Sequence, residues 1–467
     1  MKGLGKVVAF VSVAAVPAGS NLLLTLILVR AFGISGFATW SIIEPLLLIF
    51  AAVAALGTNY GVLFTTARGV ADAGRALGQA MTLVLPFSIA AGCAAWFVVH
   101  PHAPVVALPN LALALSAEAM SVLTIASLRG QRRLHTWICF ELIRSLSVMV
   151  CAFALFRFAP HLMRNVNDLL LLRGSLTAAA VAMVAITMRV RPGLDRELLM
   201  RMVRYGLPIA LAAMIQLIGN NTDRFLLALL HRPASEIALY AAHQRLAGIL
   251  TVATTTPLNL WFAVEAIRRD TEQEVEFYRT VLAGVLAATS IMLTGAFIAG
   301  PLLWPYFFPG IAFHPQVYAL LGLGVVVQAV GIVTNVGGLR EKKTHWNTIV
   351  VGLSITTMAG LGVPLILLAS ATGAAIARCS ALAVNAATGF TLSQRIAPVR
   401  HRFAPLAPFL LALLLSMLAL AGPTIGVLSG VIGAASAAAT GVGLYLNRPR
   451  LVYLRGRPVA APGTASG

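Results

Sequence analysis

The sequence predicts an all-α fold: a polytopic membrane helix bundle of about fourteen transmembrane helices, in two pseudo-symmetric six-helix halves plus a C-terminal hairpin. Three observations predict it. Of 467 residues, 59% are hydrophobic and 10% charged, whereas soluble domains carry about 25% charged residues. Apolar runs recur along the whole chain, each near the ~20 residues a helix needs to cross the hydrocarbon core. The Lys and Arg residues gather in alternate loops, the pattern of cytoplasmic segments. The net charge of +19 is therefore read as membrane topology, and no nucleic-acid partner is expected.

The elements follow in order. The first span, Val7–Val29, comes after Lys2 and Lys6. It is too long for a signal-peptide core, so Val16-Pro17-Ala18 is not read as a cleavage site. Spans two to six are Ala38–Phe64, Gln79–Val99, Val105–Leu128, Ile138–Arg157 and Leu169–Met188. Spans seven to twelve are Gly206–Leu230, Leu246–Ile267, Val281–Gly300, Val317–Gly338, Asn347–Ala369 and Gly373–Leu392. A hairpin, Leu406–Ala421 and Thr424–Leu446, turns at Gly422-Pro423. The halves are set at residues 1–190 and 191–395, the hairpin at 396–450 and a disordered cytoplasmic tail at 451–467.

Charge fixes the expected orientation. With the N-terminus inside, 25 of the 34 Lys and Arg fall on the cytoplasmic side, including five from Arg189 to Arg204. Five fall outside: Arg30, Arg157, Arg164, Arg232 and Arg245. Both termini are expected in the cytoplasm, and the chain in a bacterial inner membrane as a monomer among membrane lipids.

Charges inside spans carry the functional signal, because each costs at least about 2.5–3.5 kcal/mol at a helix centre unless it meets water or a partner. Glu44, Glu118, Glu141, Arg144, Arg173, Asp223, Arg224 and Arg378 lie within spans, with Arg30 at the end of span one. Arg30, Glu44, Arg173, Asp223, Arg224 and Arg378 are placed in the outer third, Glu118 near the middle, and Glu141 and Arg144 nearer the cytoplasm. Glu141 and Arg144 are spaced to pair on one helix; Arg30 and Arg173 are placed to snorkel. The run Asn221-Thr222-Asp223-Arg224, after Asn220, sweeps most of a helix circumference, so part of it must face protein or water. The candidate cavity set is Arg30, Glu44, Glu118, Arg144, Arg173, Asn220, Asn221, Asp223, Arg224 and Arg378. Guanidinium groups suit an anionic head group, since they stay charged and bind phosphate bidentately.

Two stretches carry a family resemblance. One is Leu28-Val29-Arg30-Ala31-Phe32-Gly33 with Gly36-Phe37-Ala38-Thr39-Trp40. The other is Tyr205-Gly206-Leu207-Pro208 with Asn220-Asn221-Thr222-Asp223-Arg224 and Ile237-Ala238-Leu239-Tyr240. They resemble the signatures of Wzx-type polysaccharide flippases of the multidrug/oligosaccharidyl-lipid/polysaccharide exporter superfamily. Phe37-Ala38-Thr39-Trp40 also mirrors Ile237-Ala238-Leu239-Tyr240, as internal repeats of transporters do. The resemblance implies alternating-access transfer of a polyprenyl-pyrophosphate-linked oligosaccharide to the outer leaflet for surface polysaccharide synthesis. It implies no covalent chemistry and no cofactor, and leaves H⁺ or Na⁺ open as a coupling ion.

Rival readings are a multidrug or cation antiporter of that superfamily, a lipid II flippase, and an integral-membrane polysaccharide polymerase or ligase. A cation carrier should have an acidic cavity, whereas arginines slightly outnumber acids here. A polymerase usually has a large outer loop, and none is expected. No Walker A pattern points to ATP. Cys93, Cys139, Cys151 and Cys379 lie in apolar runs without a CxxC and read as small core residues; neither they nor the histidines suggest a metal site.

Overall fold

The computed structural model describes residues 2–101, 103–262, 271–335, 345–396, 406–421 and 427–453. Every regular element among them is helical. The helices are α1 (Lys2–Ala54), α2 (Thr58–Ala67), α3 (Ala73–Val99), α4 (Leu108–Gly130), α5 (Leu134–Phe158), α6 (Val166–Thr187), α7 (Arg196–Gly219) and α8 (Thr222–Leu229). They continue as α9 (Ala234–Pro257), α10 (Thr271–Phe307), α11 (Pro315–Thr334), α12 (His345–Ile396), α13 (Ala407–Ala421) and α14 (Val427–Tyr453).

Among the described residues, nine helices are long and apolar enough to cross a membrane. Large apolar side chains face outward, including Phe158 (80% exposed) and Leu368 (83%). The chain is a multi-pass membrane protein with its apolar surface turned to lipid.

Two helices are far too long for one crossing. α1 has 53 residues, about 80 Å at ~1.5 Å per residue, against a hydrocarbon core of ~30 Å. It breaks at Gly33, whose φ of 69° and ψ of −171° suit a residue without Cβ. α12 breaks likewise at Ala369 and Ser370. Arg232 Nη2 donates to the carbonyls of Ile366 and Leu367 at 2.6 Å each, capping the helix end there. Glu236 accepts from the Ala371 N–H that opens the next segment, at 3.4 Å. Each long helix thus supplies two crossings, as the sequence anticipated on either side of these breaks.

The boundaries differ from expectation in several places: span two breaks between Ala54 and Thr58, and α10 extends the expected Val281–Gly300 to Thr271–Phe307. α7 starts at Arg196, so Arg196, Arg201 and Arg204 stand on its first turns rather than in a loop. It breaks after Gly219, and α8 restarts at Thr222; the polar Asn220-Asn221 pair marks an interruption, not mid-helix. α9 starts at Ala234, twelve residues before the expected Leu246. The run Tyr240-Ala241-Ala242-His243 is fully buried; it is polar only where protein, not lipid, surrounds it. Arg245, expected outside, is therefore inside the bundle.

Buried apolar side chains form two large clusters. One gathers Leu24 to Met202, chiefly from α1 to α7; the other gathers Val29, Phe37 and Ala38 with residues from Leu227 to Leu413. α2 meets α7 almost backbone to backbone: a Cβ at Gly206 would sit 1.8 Å from the Gly57 carbonyl oxygen. Phe64 and Tyr205 stack beside this crossing at 4.2 Å. Small residues permit such close approach in lipid-embedded helices. Near the Gly33 break, Arg30 donates to the Tyr306 carbonyl at 3.2 Å.

The cysteines are not core residues: Cys139 is exposed and the other three are half-buried thiols. In a membrane bundle an apolar run can face lipid as readily as the interior. The expected basic loops at Arg268–Arg269, Arg340–Lys343 and Arg400–Arg402, the Gly422-Pro423 turn, Glu265, His102 and the tail after Tyr453 lie outside the described residues.

Candidate functional site

The intramembrane charges pair with one another, helix by helix. Glu141 and Arg144 pair on α5 at 2.9 Å, as their spacing predicted. Arg144 also reaches Glu118 of α4 at 2.9 Å. Glu118 accepts from Arg173 of α6 at 3.4 Å. Arg173 lies 3.8 Å from Glu44 of α1, and Glu44 pairs with Arg245 of α9. Acid and base alternate from α5 to α9: Glu141, Arg144, Glu118, Arg173, Glu44, Arg245. Arg173 does not snorkel; its side chain is 14% exposed and also lies over the Trp40 ring.

Position along the helices explains part of this arrangement. Glu44 and Arg245 each sit eleven residues past a segment start, at Gly33 and Ala234 respectively. At ~1.5 Å per residue that is about 16 Å along each helix. A lone charge inside a span costs several kcal/mol, which a hydrogen-bonded partner offsets.

A second cluster forms around α8. Asp223 is 1% exposed and accepts from Arg378 Nη1 at 2.5 Å, Tyr240 Oη at 2.5 Å and the Arg224 N–H at 2.8 Å. Arg378 also donates to the Asn220 carbonyl at 2.9 Å. Arg224 donates through Nε to Gln244 and through Nη1 to the Ser41 carbonyl at 3.2 Å, linking α8 to both α9 and α1. Arg224 has no carboxylate bridge among the described residues, so one negative charge faces two guanidiniums in this cluster.

The two clusters meet at one pocket. A cavity of about 280 Å³ is lined by Arg224, Gln244, Arg245, Arg378, Asn21 and apolar neighbours. The Arg245 Nε is buried without a hydrogen-bond partner. A larger cavity of about 310 Å³ begins at Asn220 and Arg378 and runs toward Asn335 and Ile396. Arg378 lines both.

Of the expected residues, Arg224 and Arg378 line the first pocket, Asn220 lines the second, and Asp223 is bonded directly behind them. Glu44 reaches the first pocket through Arg245. Glu118, Arg144 and Arg173 stand behind Glu44 in the chain of pairs. Arg30 lines neither pocket, and Asn221 turns its amide onto the Leu217 carbonyl at 2.9 Å. The sequence reading missed Arg245, Gln244 and Tyr240. Their signal is the 200-residue offset: Trp40 and Glu44 mirror Tyr240 and Gln244, and Arg245 follows at once.

The bundle encloses a charged pocket between helices whose outer faces are apolar. Solved structures share this fold. A lipid II flippase, MurJ, in an inward closed conformation matches at 12% identity, covering 94% of this chain and 99% of that one, with a TM-score of 0.64. An inward-facing multidrug-resistance MATE transporter of the MOP superfamily matches at 13% identity over 84% of this chain and 98% of its own, TM-score 0.58. The eukaryotic MATE transporter AtDTX14 matches at 14% identity over 84% and 95%, TM-score 0.55. No curated protein sequence matches. The family profile described as "Polysaccharide biosynthesis protein" matches residues 76–308. That match spans about half of the chain, and the fold is shared with the MurJ and MATE structures.

Proposed function

We propose that this protein flips a polyprenyl-pyrophosphate-linked oligosaccharide across a bacterial inner membrane, with both termini cytoplasmic. The observation that carries the proposal is the convergence of Arg224, Arg245 and Arg378 on one pocket. The pyrophosphate would be held by these guanidiniums, which present rigid donor forks to phosphate oxygens. The prenyl tail would stay in lipid. The two apolar clusters would rock against each other around the fixed pocket, as repeat-built transporters do.

Glu44 gives the cycle its exchange step. It neutralises Arg245 in the empty pocket. An arriving pyrophosphate takes that partner's place, so the arginine is never left unpaired in a low-dielectric site. The displaced Glu44 keeps Arg173 as a neighbour. A proton on Glu44 would complete the exchange and couple it to H⁺. A cationic cargo fits poorly, because arginines outnumber acids at the pocket wall.

The test is export of surface polysaccharide in a deletion strain complemented at matched membrane abundance. Arg224→Lys keeps the charge and loses the fork, so export falls strongly. Normal export by both Arg224→Lys and Arg224→Ala would remove Arg224 from the substrate path.

A further inference from the structure

The larger cavity has a different chemistry from the arginine pocket. At about 310 Å³ it falls at the lower end of small-ligand sites. Carboxamides line it: Gln216 from α7, Asn259 from the π-turn after α9, Gln328 and Asn335 at α11, and Asn385 from α12. Among the described residues, none of these side-chain amides hydrogen-bonds to the protein. Trp346 adds an aromatic face. Among the described residues no carboxylate lines the cavity, and Arg378, at the end shared with the arginine pocket, is the one charged residue of its wall.

With no protein partner, these amides keep their hydrogen-bonding capacity for water or a ligand. Gln216 and Asn259 are exposed and Gln328, Asn335 and Asn385 half-buried, so these five carboxamides from four elements present accessible donors and acceptors to one space. A carboxamide donates and accepts at once. The matching ligand surface is one of hydroxyls, which also donate and accept, rather than an ion of one sign. An aromatic ring beside amides suits the C–H face of a sugar ring.

We infer that this cavity is the glycan subsite: it binds the neutral sugar attached to the pyrophosphate, with Arg378 at the junction holding the phosphate next to that sugar. The inference rests on the pyrophosphate reading of the arginine pocket and adds the class of group that selects cargo. The amides take hydroxyls and the arginines take phosphate. Sugar recognition therefore sits in α7, α11, α12 and the π-turn after α9, while the ion-pair chain runs through α1, α4, α5, α6 and Arg245 of α9.

Binding to the full chain in nanodiscs tests it with two probes of equal prenyl length, farnesyl diphosphate and glucosyl farnesyl diphosphate. The unmodified protein should bind the glucosyl probe about tenfold tighter, equal to one or two net hydrogen bonds. Gln328→Leu and Asn385→Leu should each remove most of that gain and leave farnesyl diphosphate affinity within twofold. Equal affinity of the unmodified protein for both probes overturns the inference, since the cavity would then hold water only. Equal weakening of both probes by the amide variants overturns it too. If instead Arg224→Gln leaves farnesyl diphosphate binding unchanged, the pyrophosphate reading fails, while a persisting glucosyl gain still supports the glycan subsite.

Discussion

Replacing Glu118 by Gln tests the ion-pair chain where it is most buried. Glu118 is 4% exposed and bridges Arg144 at 2.9 Å to Arg173 at 3.4 Å. The substitution keeps shape and one acceptor but removes the only charge between two guanidiniums. Breaking a buried pair by losing one partner costs about 3–5 kcal/mol. Here each arginine keeps a second carboxylate: Glu141 at 2.9 Å for Arg144, and Glu44 at 3.8 Å for Arg173. The cost should therefore fall at the lower end, about 3 kcal/mol. Unfolding in mixed micelles measures it. Adding Arg173→Gln removes the excess charge and should recover more than half of the loss, a coupling of the size double-mutant cycles resolve. A loss below about 0.5 kcal/mol, or no recovery in the double variant, would refute the reasoning that these charges stabilise one another.

Three further outcomes follow from single residues. Gly206→Val should separate α7 from α2, because its Cβ would meet the Gly57 carbonyl oxygen at 1.8 Å; a cysteine pair engineered across the crossing should lose its crosslinking yield, and full yield would contradict the contact. Tyr240→Phe removes a buried donor to Asp223 and should cost about 1–3 kcal/mol in the same unfolding assay, with no change if Arg378 alone satisfies the carboxylate. Asp195 caps α7 outside the membrane; the Leu198 N–H, ahead of Arg75 and the Glu197 N–H, holds its carboxyl below the usual range. A depressed folded value stabilises above the unfolded one and fades as pH falls through it. Asp195→Asn should therefore be less stable than the parent at neutral pH and equal to it below the carboxylate range, and a gap that persists in acid would remove the cap from the account.

Much of this architecture was legible in the apolar runs, because a span must be long and uncharged whatever it packs against. The places that were hard to read share one cause. α9 carries His243, Gln244 and Arg245 in its first half, so by hydropathy it reads as a loop followed by a late helix. Burial within protein, not lipid exposure, lets those residues stand in a helix, and a single sequence does not display burial. The same blindness put Arg245 outside and the cysteines in the core. The pair Glu141–Arg144 was readable because both members lie on one helix. The links from Arg144 to Glu118 and from Glu44 to Arg245 join helices far apart in sequence. Asp223 and Arg224 stood out because four polar residues in a row have no place in lipid.

The most direct test of the account is transbilayer movement by the purified chain. Proteoliposomes would carry a radiolabelled polyprenyl-diphosphoryl glycan, with its accessibility to an externally added glycosidase read over time. The account predicts movement by the unmodified protein and at least a tenfold slower rate for Arg245→Gln at equal reconstitution. Movement of the glycan lipid at the unmodified rate by a variant lacking Arg224, Arg245 and Arg378 together would contradict it.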